Sequence, residues 1–208
     1  MALTDLLSNV SLLVRWLHVI AGITWIGMLY FFNFVNVPLQ GALDDAAKKA
    51  VNPKLMPRAL WWFRWGAMTT FLAGVVLFTL TYAYRPGQGF GMNENFISAD
   101  GSVSDRGVWI LMGMLFGTIM WLNVWFVIWP AQKKILSGQA GDQLAALRKR
   151  AGLFSRVNTY LSAPMLFGML APAHYGAVNG FTLLVAVALG IFAIWWSIKT
   201  SFQVGRSA

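Results

Sequence analysis

Long apolar runs separated by short polar ones organise this chain. A bilayer core of roughly 30 Å needs ~20 apolar residues per helix. Five stretches are of that order, at about 12–37, 59–84, 108–129, 153–171 and 178–198. The first is interrupted only by Arg15, His18, Asn33 and Asn36, and the third ends at Pro130. The fourth is the most polar, with Ser155, Arg156, Asn158, Thr159 and Ser162. Strands of a membrane barrel alternate with period two and stay near ten residues, so these runs predict helices. The expected fold is an all-α integral membrane protein, a five-transmembrane-helix bundle forming a single membrane domain over residues 1–208. The first run is longer than a signal core and follows no basic cluster, so it is expected to be a true span. Short amphipathic helices are expected over Ala42–Ala50 and Asp142–Ala151. The segment Arg85–Gly107, rich in Gly, Asn, Ser and Asp, reads as an irregular connector.

Composition agrees with the pattern. Hydrophobic residues make up 58% and charged residues 11% of the chain, against roughly a quarter charged in globular proteins. The absence of cysteine removes disulfides, iron–sulfur clusters, zinc thiolate sites and covalent c-type haem. The net charge of +9 is the kind that nucleic-acid binders carry, but the positions of the charges read as topology. Lys48, Lys49, Lys54, Arg58, Arg64, Lys133, Lys134, Arg148, Lys149, Arg150, Arg156, Lys199 and Arg206 gather on one side. Only Arg15, Arg85 and Arg106 fall on the other, with Asp5, Glu94, Asp100 and Asp105. Positive residues mark the cytoplasmic side. The N-terminus is therefore expected outside and the C-terminus in the cytoplasm, as a multi-pass protein of the bacterial cytoplasmic (inner) membrane. The lipid bilayer is the partner this implies, through anionic headgroups, and no nucleic acid.

Membrane helices associate through close backbone approach and buried polar contacts. Gly113 and Gly117, then Gly66, Thr70 and Gly74, then Ala186 and Gly190 provide small residues at steps of four.

Chemistry rests on few residues. His18 lies within the first run, and a titratable group in hydrocarbon is by default a functional candidate. Two readings stand: a neutral imidazole bonded to a neighbouring helix, or an axial ligand to haem b, whose iron commonly takes histidine. Ala21 and Gly22 leave room for a flat macrocycle. Arg15, one turn nearer the outside, suits a haem propionate or an interfacial position. His174, after Pro172 at the outer end of the fourth run, is a candidate second iron ligand if that helix extends past Ala171 or the Ala171–Gly180 segment dips inward. Met169 or Met165 are alternatives, as is five-coordinate iron. A second polar layer, toward the cytoplasm, holds Asn33, Arg64, Asn123, Asn158 and Ser162. It reads either as interhelical hydrogen bonding or as a pocket for an anionic or quinone-like small molecule, with Arg64 as charge partner. No nucleophile–base pair, carboxylate dyad or phosphate loop is visible, so redox chemistry requires a bound cofactor.

Three runs carry a resemblance. Trp16-Leu-His-Val-Ile-Ala-Gly-Ile-Thr-Trp-Ile-Gly-Met-Leu-Tyr-Phe-Phe-Asn-Phe-Val, Arg58-Ala-Leu-Trp-Trp-Phe-Arg-Trp-Gly and Ser155-Arg-Val-Asn-Thr-Tyr-Leu-Ser-Ala-Pro-Met-Leu-Phe resemble the membrane domain of PuuD-type urate hydroxylases, the urate oxidase N-terminal domain family. The first run is more distantly similar to HemJ- and CopD-like haem-binding membrane proteins. The resemblance implies a haem-b-binding oxidoreductase module that takes electrons from a small-molecule substrate such as urate or another purine, with the early-span histidine falling on His18. PuuD-type enzymes continue into a cytochrome c domain; this sequence does not. The electron acceptor is therefore expected to be a separate polypeptide, a cytochrome c or another membrane subunit. The other reading is a non-catalytic integral subunit stabilising a larger respiratory or photosynthetic complex.

Overall fold

The computed structural model describes residues 5–204. It is an all-α membrane protein built from five long helices: α1 (Leu6–Ala42), α2 (Asp45–Tyr82), α3 (Asp105–Leu136), α4 (Leu144–His174) and α5 (Gly180–Ser201). Helix starts follow the capping residues in the sequence. The Asp44 carboxylate accepts from the Ala47 N–H at 2.7 Å, and the Ser104 hydroxyl accepts from the Gly107 N–H at 3.0 Å. Asn179 and Thr182 form a reciprocal capping box at α5.

The proline and charge patterns fold less abruptly than the sequence suggested. The expected short helices at residues 42–50 and 142–151 are not separate pieces. Instead α2 runs unbroken from Asp45 through Pro53 and Pro57, and α4 takes in the basic stretch from Leu144. Both α2 prolines are exposed near the helix start, where water or headgroups can satisfy the carbonyls they leave unbonded. The third span does not end at Pro130 either. A π-helical stretch, Asn123–Ile128, widens the helix just before this proline, and α-helix resumes with the proline in its first turn. Phe31–Asn36 does the same ahead of Pro38 in α1. A proline ring collides with the carbonyl four residues earlier, and a wider turn moves that carbonyl aside.

Four helices, α1, α2, α3 and α5, are long and apolar enough to cross a membrane. Polar and basic residues keep α4 below that standard. Yet α4 packs against α1, α3 and α5, and Asn158, Thr159 and Ser162 are fully buried. The most polar helix is the shared neighbour of three others, where its side chains find partners.

Small residues set the crossings. A Cβ on Gly66 would lie 3.1 Å from the Trp25 backbone nitrogen, and one on Gly168 only 2.6 Å from the Gly113 nitrogen. A Cβ on Gly190 would meet Pro164 at 2.7 Å. These contacts close α1 on α2, α3 on α4 and α4 on α5 through van der Waals approach of the main chains. A core of Trp25, Leu29, Phe32, Leu60, Phe63, Met120, Val124 and Met165 joins the first four helices.

The connection between α2 and α3 is more ordered than expected. It contains a hairpin of β1 (Tyr84–Arg85) and β2 (Gly89–Phe90), antiparallel, with Gly87 and Gly89 at positive φ in its turn. Beyond it Ile97 bridges to Val103. Ser102 gives both its N–H and its O–H to Asp100, and these bonds hold that carboxyl below its usual pKa. The end of the bundle carrying this connection is called the long-loop end below, and the opposite one the basic end.

Candidate functional site

His18 lies on the face of α1 turned toward α2. Its Nδ1 is 2.8 Å from the carbonyl oxygen of Thr70. A carbonyl only accepts, so Nδ1 carries the proton and donates. In the neutral ring the proton is then fixed on Nδ1, leaving Nε2 with a free lone pair. Nε2 has no hydrogen-bond partner among the described residues.

Two features of α2 create this contact. Gly74 lies one turn beyond Thr70, and a Cβ there would sit 3.0 Å from His18 Cε1 and 3.3 Å from Nδ1. Glycine therefore leaves the Thr70 carbonyl open to the ring. The Thr70 hydroxyl turns back to bond the Gly66 carbonyl at 2.7 Å, so it does not compete for His18. In the sequence Thr70 and Gly74 read only as packing residues. The signal that could have found them is their step of four, which puts them on one face of α2.

Gly22, expected to make room for a macrocycle, faces α2 instead: a Cβ there would touch the Thr70 methyl at 3.8 Å. Arg15 lies at the long-loop end of α1 and lines a cleft beneath the hairpin. α4 extends to His174, past Ala171 as a second ligand there would require. His174 is exposed on its last turn and forms no hydrogen bond or ion pair among the described residues. At 100° per residue it lies about a quarter-turn from the Ser155 face that meets α1. Met165 and Met169 both lie against Gly117 of α3.

The second polar layer is bonded into the helices around it. Asn123 donates to the Asn158 side-chain oxygen at 2.7 Å, and Asn158 donates to the Met120 carbonyl at 2.9 Å. Asn33 donates to the Leu29 carbonyl and to the Ser155 hydroxyl, at 3.0 and 2.9 Å. Tyr30 and Ser162 pair at 2.9 Å, and the Ser162 hydroxyl lies 2.7 Å from the Thr159 carbonyl. A hydroxyl has one proton; if Ser162 gives it to Thr159, Tyr30 is the donor to Ser162. Arg64 stands apart, its guanidinium 3.7 Å above the Trp129 ring. Three indole N–H groups, of Trp25, Trp121 and Trp125, are buried without an acceptor among the described residues.

Could the His18 site hold a haem? The chemistry of the donor fits. A ligating histidine almost always gives its other ring N–H to a carbonyl or carboxylate, which fixes its tautomer and raises its basicity, and Thr70 accepts that bond here. The same stretch of α1 carries the exposed apolar side chains Leu13, Trp16, Leu17, Val19 and Ile20. Among the described residues no group of three or more His, Cys, Asp or Glu gathers to hold a bare metal ion.

Comparison with known proteins bears on the same residues. The family model described as "Urate oxidase N-terminal" matches over residues 4–49, 40–100 and 90–207. Nothing in that match extends to HemJ- or CopD-like proteins. No curated protein and no solved structure matches the chain. The family match covers His18, the α2 residues that hold it and the α4 polar face, so the chain belongs to the urate oxidase N-terminal family.

Proposed function

We propose that the protein is a urate-oxidase-like membrane redox module in which His18 holds a haem b, passing electrons from a small substrate, urate or another purine, to a separate acceptor. The observation that carries this reading is the Nδ1–Thr70 hydrogen bond, because it fixes the tautomer and leaves Nε2 as a ligand. When bound, haem supplies one-electron chemistry that no side chain of this protein offers. The chain's own residues hold and orient the imidazole: the Thr70 carbonyl accepts a hydrogen bond from its Nδ1–H, Gly74 admits its ring, and Gly66 brings α1 and α2 close enough for both.

The module crosses the cytoplasmic membrane five times in this reading. α4 serves as the fifth span despite its polarity, because its buried polar groups bond to neighbouring helices and not to lipid. The cations of the basic end favour the cytoplasmic side for it, with the long-loop end outside.

The test is optical. Wild-type protein purified in detergent should give a Soret band and an alpha band in its reduced-minus-oxidised spectrum. His18→Ala should lose them, while Asn33→Ala should keep them. A colourless wild-type protein, or bands that survive in His18→Ala, would overturn the haem assignment. Because the sequence has no cysteine, single cysteines placed at Lys49 and Gln88 report topology directly. Only the second should react with a membrane-impermeant thiol reagent added to intact cells.

A further inference from the structure

At the long-loop end a cleft of about 490 Å³ opens between α1 and the hairpin, with Ser11 and Arg15 on one side and Tyr84, Arg85, Gln88 and Glu94 on the other. Sites for small molecules usually span roughly 300–1,000 Å³. The loop side of this one is held firmly. Asn93 is buried and donates from its amide to the carbonyls of Thr81 and Tyr84, at 2.9 and 3.2 Å. Its backbone N–H bonds the Tyr82 carbonyl at 2.9 Å, and Gly91 bonds Ala83 at 3.1 Å. These bonds tie the hairpin to the last turn of α2, using carbonyls that the helix end leaves free. One guanidinium nitrogen of Arg85 is fixed by the Met92 carbonyl at 2.6 Å. Long ordered loops of this kind are commonly functional.

The charges in the cleft remain unspent. Neither Arg15 nor Arg85 forms an ion pair with a carboxylate among the described residues, and Glu94 is also unpaired there. Arg15 makes no hydrogen bond among them. The cleft thus presents two planar guanidinium donors and one carboxylate acceptor, with an excess of one positive charge. Arg15 is three residues from His18, one turn along α1, so the cleft lies about 5 Å along the helix from the imidazole position.

We propose that this cleft is the substrate station of the module and takes a small planar anion that carries both carbonyl-type oxygens and ring N–H groups. The guanidinium forks of Arg15 and Arg85 receive the oxygens, where the negative charge lies. Glu94 accepts from a ring N–H. Its purpose as a substrate site rests on the redox reading above; its geometry does not.

Haem propionates share the oxyanion chemistry, so the experiment separates the two sources. Urate and benzoate are the probes, titrated calorimetrically into the full chain in lipid nanodiscs. Benzoate has the oxyanion but no N–H. Urate affinity should fall about tenfold or more in Arg15→Gln and in Arg85→Gln, as expected for loss of a charge-assisted bond. Arg15→Lys, which keeps the charge but not the fork, should lose less and guards against a folding artefact. Glu94→Gln should weaken urate more than benzoate. A wild-type protein that binds urate but carries no haem would sink the haem reading and spare this one. Urate affinity unaltered in both arginine variants, or no urate binding in the wild type, would overturn the proposal. So would haem loss from Arg15→Gln with urate binding intact, which would give that guanidinium to a propionate.

Discussion

His18 is a polar group on an apolar helix, Asn158 one on the most polar helix, and they are used in different ways. Asn158 accepts from Asn123 on α3 and donates to the Met120 carbonyl of the same helix, so its amide is spent on helix–helix contact. His18 spends one nitrogen on Thr70 and keeps the other. Lipid offers no replacement partner for an unbonded polar group, so a side chain in this setting is normally paired. A paired network fastens helices together. A ring with one nitrogen anchored and the other free is poised to hold something else.

The contrast can be broken in order of expected effect. The largest change should come from His18→Ala, which removes the proposed haem altogether while costing the fold only about 1 kcal/mol, the worth of one hydrogen bond. Pigment content and thermal unfolding of the same sample check both halves of that statement. Next comes Gly74→Ala. Its new Cβ would lie 3.0 Å from the imidazole, pushing the ring off the Thr70 carbonyl. Haem retention during dialysis should drop several-fold with little loss of helix content.

Asn158→Leu reverses the pattern. It strips two interhelical bonds and strands the Asn123 amide, so stability in detergent should fall by roughly 1–3 kcal/mol while haem content is unchanged. Equal haem loss in Asn158→Leu and His18→Ala would erase the distinction between the two regions. The smallest effect belongs to Tyr30→Phe, which removes a single bond to Ser162 and should cost about 0.6 kcal/mol, the average for a polar contact in a membrane bundle.

Much of the architecture was legible in the chain because hydrocarbon imposes simple rules. Apolar runs of a fixed length become helices, and small residues four apart mark close crossings; Gly66, Gly113 and Gly190 all lie at such crossings. Less legible were the proline effects. A pattern of apolar residues says nothing of whether the helix stops at Pro130 or widens to pass it, since that depends on one displaced carbonyl. The polar layer was legible as polar residues on several helices, and Asn123 with Asn158 is the pair that bonds within it. Arg64 was grouped with them by depth, but depth does not fix direction, and its guanidinium turns to Trp129. At the histidine, the sequence pointed to the ring and missed its support. Thr70 acts through a main-chain oxygen and Gly74 through the absence of a side chain, neither of which a residue type announces.

The two widened turns bear on how this chain tolerates change in length. A π turn holds about one residue more than the α turn it replaces, so α1 and α3 each carry roughly one surplus residue near the basic end. Removing a single residue within 31–36 or 123–128 would let the strand of backbone tighten to ordinary winding. The faces above and below would then stay in phase. A deletion in 19–30, between His18 and the widened turn, falls in ordinary α winding and would turn His18 by about 100° relative to the residues beyond it.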